Sequence, residues 1–208
     1  MIAMENRSCT FENVRYYSET SPTGFYTGAA TYTNCSIELQ RTGTLNIDWS
    51  YPWLMSAVST SSAKEVTINS GTYKGYYGIF VYSSGGAITV KGGTFEGTKA
   101  VIISENNTWE PGYAGASSIN VEDGDFTGQI QAAAWGAAGT SPVAAINISG
   151  GKFKIDGSDA LFTPNNASIL VSGGIFSQDP TPYLKSGYKV IDNPDANADV
   201  YPYKVVDE

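Results

Sequence analysis

Histidine is absent from the chain, and that one gap removes a large part of enzymology. Without it there is no imidazole general acid or base, no Ser-His-Asp or Cys-His activation of a nucleophile, and almost no way to build a catalytic zinc site. Charge is also sparse: 15% of the residues are charged, against roughly 25% in an average globular domain. With 41% hydrophobic residues the chain is nevertheless rich enough in apolar side chains to build a core, which excludes disorder. The three arginines, Arg7, Arg15 and Arg41, all fall near the start, so no arginine cluster is available further along. The formal net charge of −8 opposes a phosphate backbone. Together these exclude nucleic acid and argue against anionic polymers as ligands. No apolar stretch is long enough to cross a bilayer, and the start of the chain lacks the basic and apolar regions of a signal peptide. Either export proceeds without one or the chain is part of a longer protein.

Glycine is plentiful, and it recurs in a fixed frame. The segments Val66-Thr-Ile68-Asn-Ser-Gly71-Thr-Tyr73, Ile88-Thr-Val90-Lys-Gly-Gly93-Thr-Phe95, Ile119-Asn-Val121-Glu-Asp-Gly124-Asp-Phe126, Ile146-Asn-Ile148-Ser-Gly-Gly151-Lys-Phe153 and Ile169-Leu-Val171-Ser-Gly-Gly174-Ile-Phe176 align without a gap. Counting from the aromatic anchor, each has Ile or Val at −7 and −5 and Gly at −2. Two earlier copies fit with Cys in place of Gly: Cys9 before Phe11, with Met4 and Asn6 upstream, and Cys35 before Ile37, with Ala30 and Tyr32 upstream. The −7/−5 pair has the period of a strand with one side buried, Gly permits a tight corner, and the anchor re-enters the interior. Further apolar runs follow most corners, at 78–81, 100–103, 130–133 and 160–162. Stacked in parallel at about 4.8 Å per turn, seven such repeats predict an all-β fold, a right-handed parallel β-helix with a rod length of order 30 Å.

The Gly-Gly-x-Phe corner, together with the tail Phe176-Ser-Gln-Asp-Pro-Thr-Pro-Tyr183-Leu184-Lys-Ser-Gly187-Tyr188 and the closing Tyr203-Lys-Val-Val206, resembles a β-helical module of secreted and cell-surface, adhesin-like proteins of gut bacteria. The resemblance covers roughly residues 66–208. The first 60 residues are more similar to pectate-lyase-like and phage tailspike β-helices. What the resemblance implies is a surface or fibre part, extracellular or on the cell surface, or on the virion if phage-encoded, that adheres, scaffolds or contacts glycan. The expected division is a β-helix over 1–176, irregular and loop-bearing to about 65, and a capping segment over 177–208. In that segment Tyr183 and Leu184 dock on the open end, while Val190-Ile191 and 203–206 pair as a hairpin.

Catalysis is not expected. The hydrolases of this fold carry an Asp-Asp pair, a Gly-His-Gly and an Arg-Ile-Lys, and the lyases a calcium-bound acidic cluster; none is present. Two carboxylates suffice for glycoside hydrolysis, but Glu122-Asp123-Gly124-Asp125 and Asp156-Gly-Ser-Asp159 read as polar turns. They do not match a calcium loop either, so no metal or cofactor is predicted. Cys9 and Cys35, at the same −2 position of consecutive repeats, are expected to stack about 5 Å apart as free thiols, because parallel Cβ vectors suit a disulfide poorly.

All four tryptophans fall in the three longest intervals between anchors. Trp49, Tyr51, Trp53, Trp109, Tyr113 and Trp135 are therefore the candidate contact residues, since insertions on a solenoid emerge on one or two faces. Their flat rings with polar tips suit stacking on sugar or a protein interface; packing of the loops onto the coil is the competing reading. Tyr16, Tyr17, Tyr26, Tyr76 and Tyr77 extend the aromatic surface. The partners expected are a glycan or a host or bacterial surface protein, with a second copy or neighbouring domains also possible. A passive structural role in a larger assembly is the alternative function, and a divergent polysaccharide lyase or hydrolase the weaker one.

Overall fold

The computed structural model describes residues 4–18, 27–39, 56–60, 64–81, 86–108, 116–136, 143–155, 161–162, 167–195 and 197–208. Within them the chain is all-β, with one short 3-10 turn at Thr181–Tyr183. One sheet is a column of seven parallel strands: β1 (Met4–Glu12), β3 (Thr27–Thr33), β6 (Lys64–Ile68), β8 (Gly86–Val90), β10 (Ala116–Val121), β13 (Val143–Ile148) and β16 (Ala167–Val171). A second column runs through β2 (Arg15–Ser18), β4 (Cys35–Leu39), the first parts of β7 (Gly71–Val81) and β9 (Thr94–Thr108), then β11 (Asp125–Thr127), β14 (Lys152–Lys154) and β17 (Ile175–Phe176). The far halves of β7 and β9 join a third column with β5 (Ser56–Thr60), β12 (Ile130–Gly136) and β15 (Leu161–Phe162). This stacking of parallel strands is compatible with a β-solenoid.

The register follows the repeat. Val66, Ile88, Ile119, Ile146 and Ile169 lie opposite one another along the first column, and so do Ile68, Val90, Val121, Ile148 and Val171. All ten are buried. Between them the outward column Thr31, Thr67, Thr89, Asn120, Asn147 is polar and ends on the exposed Leu170, and its amides bond to one another, Asn147 Nδ2 donating to Asn120 Oδ1 at 2.9 Å. The anchors stack face to face: Tyr73 on Phe95, Phe95 on Phe126, Phe126 on Phe153 and Phe153 on Phe176, with ring centroids 4.7 to 5.0 Å apart. Each such pair contributes about 0.5–1.5 kcal/mol beyond the area it buries. A fixed corner makes this possible. Gly93, Gly124, Gly151 and Gly174 all have positive φ, and the Gly93, Gly124 and Gly151 carbonyls accept the N–H groups of Asp125, Lys152 and Ile175 in the next repeat.

The first repeat is framed differently from expectation. Cys9 lies opposite Ala30 and Phe11 opposite Tyr32 in the first column, while Tyr16 lies opposite Ile37 in the second. The −7, −5, −2 and anchor positions are therefore Cys9, Phe11, Val14 and Tyr16, five residues later than the sequence reading placed them. Phe11 stacks on Tyr32 at 5.1 Å as a strand residue, not as an anchor. This overturns the expected cysteine stack: Cys9 sits in one column and Cys35 in another. Neither is in a disulfide, and Cys35 is buried, with its Sγ 3.4 Å from the Phe11 carbonyl oxygen. The left-handed residue of these first two corners is an asparagine, Asn13 (φ 54°) and Asn34 (φ 51°), in place of glycine.

At the other end the parallel order stops. β18 (Tyr188–Asp192) and β19 (Tyr203–Asp207) pair antiparallel, and β19 also runs antiparallel to β17. The Val205 N–H donates to the Gly174 carbonyl, the bond a further parallel repeat would make. Leu184 bridges Val171 on the first column, and Lys185 N–H donates to the Val171 carbonyl. Tyr183, Leu184, Tyr188, Val190 and Tyr203 pack against the core, so both columns have their last strand partly covered.

Candidate functional site

Of the six aromatic candidates, Trp49, Tyr51, Trp53, Trp109 and Tyr113 lie outside the described residues, as does Tyr26. Trp135 is placed by its backbone in β12, opposite Asn107 of β9. The flanking strands locate where the others attach. Residues 40–55 join β4 to β5, and 109–115 join β9 to β10. Every tryptophan is thus in, or in a connection bordering, the third column.

That column differs from the other two on its outer side. Ile79 and Val81 belong to the main core, and Phe80 between them does not. Phe80, Ala100 and Ile103 instead form a second buried cluster, with Tyr77 packed against it. Tyr76 and Tyr77 meet edge to face at 4.9 Å, and Tyr77 lies 5.4 Å from Phe80. Unbroken apolar runs, Ile79-Phe80-Val81 and Val101-Ile102-Ile103, were the available signal, since a strand buried on both sides reads as continuous rather than alternating.

Glu105 follows Ile103 by two residues and so shares its side of β9. Burial pushes its carboxyl up to about 7, the range in which it changes charge near neutrality. The Tyr77 phenol is pushed up to about 12, first by burial, then by Tyr76 and Glu105. The edge toward the first column is pinned by side chains: Ser117 Oγ donates to the Glu105 carbonyl at 2.8 Å, and Asn106 Nδ2 to the Val143 carbonyl at 3.0 Å. A carboxyl that changes charge near neutrality both donates and accepts hydrogen bonds there. No spacing pattern marks a lone glutamate of this kind, and sequence reasoning missed it.

The acidic corner behaves as a turn. Asp123 Oδ1 accepts the Gly124 N–H at 2.8 Å, and Asp125 pairs with Lys152 at 3.1 Å. Asp156 and Asp159 lie outside the described residues. Tyr16 packs partly buried on the core, while Tyr17 is exposed. Compared with family models, curated proteins and solved structures, the chain finds no match.

Proposed function

We propose that the chain is a right-handed parallel β-helix serving as a non-catalytic surface or fibre module, extracellular or virion-borne, that recognises glycan or protein with its third column. The observation that carries this reading is the outer side of that column. It bears Tyr77, Phe80 and Ile103 where the first column bears Thr67, Thr89 and Asn120, and the tryptophan-bearing connections border it. Phe80 and Ile103 are themselves covered within the chain, so contact falls to the aromatic residues of those bordering connections, whose flat rings suit a sugar or protein face. The resemblance of its corner and tail to adhesin-like modules points the same way. A passive spacer role is the second reading, favoured by the stiff in-register stack of anchors from Tyr73 to Phe176.

Glycan arrays and binding to intact bacterial and host cells test the proposal. Binding that falls at least about tenfold when Trp49, Trp53, Trp109 or Trp135 is changed to Ala, with unchanged circular dichroism, supports recognition. Blank arrays and no cell binding reject it in favour of the spacer.

A further inference from the structure

The first turn of the stack is only half covered. In the second turn Ala30, Tyr32, Cys35 and Ile37 are buried, whereas their counterparts one turn earlier, Cys9, Phe11, Val14 and Tyr16, are half-buried. The outward residues change in the same way: Ser8, Thr10, Glu12 and Arg15 are exposed, while Ala29, Thr31, Thr33 and Ser36 are half-buried. Among the described residues no strand lies beyond β1 or β2. The hydrogen bonds of later turns say which backbone groups face that end. The residue after the −5 position donates its N–H to the −5 carbonyl of the turn before, as Asn69 does to Tyr32, Lys91 to Ile68 and Glu122 to Val90. Glu12 holds that position in the first turn. Alternate residues of a strand turn their N–H and C=O to the same edge, so Ser8, Thr10 and Glu12 present theirs to the open end. β1 has a register irregularity between Met4 and Ser8 and is regular from Ser8 to Glu12. That regular edge holds neither proline nor lysine, two residues that commonly blunt one.

We propose that this end docks a second copy of the chain about a twofold axis, with β1 pairing antiparallel to β1 of the second copy. The opposite end of another copy does not fit it, because β19 and Leu184 already close that end. A strand that meets itself about a twofold axis pairs antiparallel, and β19 on β17 shows a column accepting an antiparallel neighbour. For the inward sides to stay inward, the register must be centred on a residue. Centred on Thr10, it sets Thr10 against Thr10 and Ser8 against Glu12, which uses all three residues facing the joint and makes about six hydrogen bonds. The same register lays Cys9 opposite Phe11, inward on both copies. Charge allows contact here and opposes it elsewhere. Within 4–18, Glu5 and Glu12 are balanced by Arg7 and Arg15, so the whole formal charge of −8 lies on the rest of the chain. The joint uses none of the aromatic residues of the third column and stands independently of the function proposed for that column.

Analytical ultracentrifugation from about 1 μM to about 1 mM, with hydrogen exchange read amide by amide, tests it. The expected result is a monomer–dimer equilibrium. At the high concentration the amides of Ser8, Thr10 and Glu12 should exchange at least about tenfold more slowly, and those of Cys9 and Phe11, which face β3, should not change. Thr10→Pro removes a donor at the joint, and Thr10→Lys sets two like charges against each other; each is expected to weaken dimerisation at least about tenfold. Leu170→Lys, at the far end of the outward column, is expected to leave it unchanged. A single-chain mass throughout, an open series of larger species, a dimer undiminished in Thr10→Lys or a dimer lost in Leu170→Lys overturns the proposal. If Thr10→Pro does not fold, Thr10→Lys decides. If neither folds, the exchange map of the unaltered protein decides, and protection elsewhere or none at all overturns it.

Discussion

A β-carbon on Gly151 would stand 3.0 Å from the carbonyl oxygen of Gly124, the same oxygen that accepts the Lys152 N–H at 2.8 Å. With φ at +102°, alanine there meets both backbone strain and a neighbour fixed by the ladder. Gly151→Ala is expected to lower stability by about 1–3 kcal/mol, seen as a shifted urea midpoint with unchanged slope. Gly187 has φ +86° and nothing within 4 Å of its added carbon. Gly187→Ala should therefore show the strain alone, roughly 1–2 kcal/mol, the smaller of the two losses.

The anchor stack allows a graded test. Phe126 is buried between Phe95 and Phe153. Phe126→Ala is expected to cost about 3–5 kcal/mol through the cavity it opens. Tyr73→Phe removes only the hydroxyl that donates to the Ser70 carbonyl at 2.9 Å. It makes the position like the four anchors after it, so a loss of at most about 1 kcal/mol is expected. Chemical denaturation of the two variants orders them.

The five glycine repeats were legible because each position carries a different chemical demand: branched aliphatics at −7 and −5, left-handed backbone at −2, an aromatic at the anchor. The first repeat was misread because Cys9-Thr-Phe11 imitates Gly-x-Phe, whereas its true anchor, Tyr16, follows Val14. The clue was Asn13 before Val14, in the same relation as Asn34 before Cys35, with asparagine supplying the turn that glycine supplies later. Strand β5 escaped notice because Ser56-Ala-Val-Ser-Thr60 offers one large apolar residue. Of the candidate site, the aromatic residues were legible by type and interval, and the apolar runs at 79–81 and 101–103 signalled strands buried on both sides; the environment of Glu105 was not legible, because it arises only when β7 and β9 come together.

The cysteines give a direct check on that corrected frame. Cys9 and Cys35 stand in different columns, so two thiols are expected per chain after non-reducing denaturation, by thiol titration and intact mass. In the folded protein Cys35, being buried, should react much more slowly than Cys9. A disulfide between them would contradict the register of β1 on β3.

Glu105 predicts a pH dependence with a definite sign. Its folded carboxyl holds a proton up to about 7, while the unfolded one releases it near the ordinary glutamate value of 4.5. Between those values the folded state binds more protons, so this group's contribution to stability falls as pH rises and levels off above neutrality, by as much as about 3 kcal/mol in total. Glu105→Gln is expected to flatten that part of the profile. Urea unfolding of both proteins at pH 5 and pH 8 measures it, and equal differences at the two values would refute the assignment.

The columns running from Val66 to Phe176 repeat the same side chains in the same register, and each turn touches its neighbours above and below. Length is therefore an adjustable property of this architecture. A whole turn can be duplicated or lost without re-facing a single side chain, because the new neighbours present the same glycine corner and the same ring. The antiparallel β19 is the exception. It occupies the Gly174 carbonyl from the opposite chain direction, so the series has a polarity, with a last member that its own repeat cannot follow.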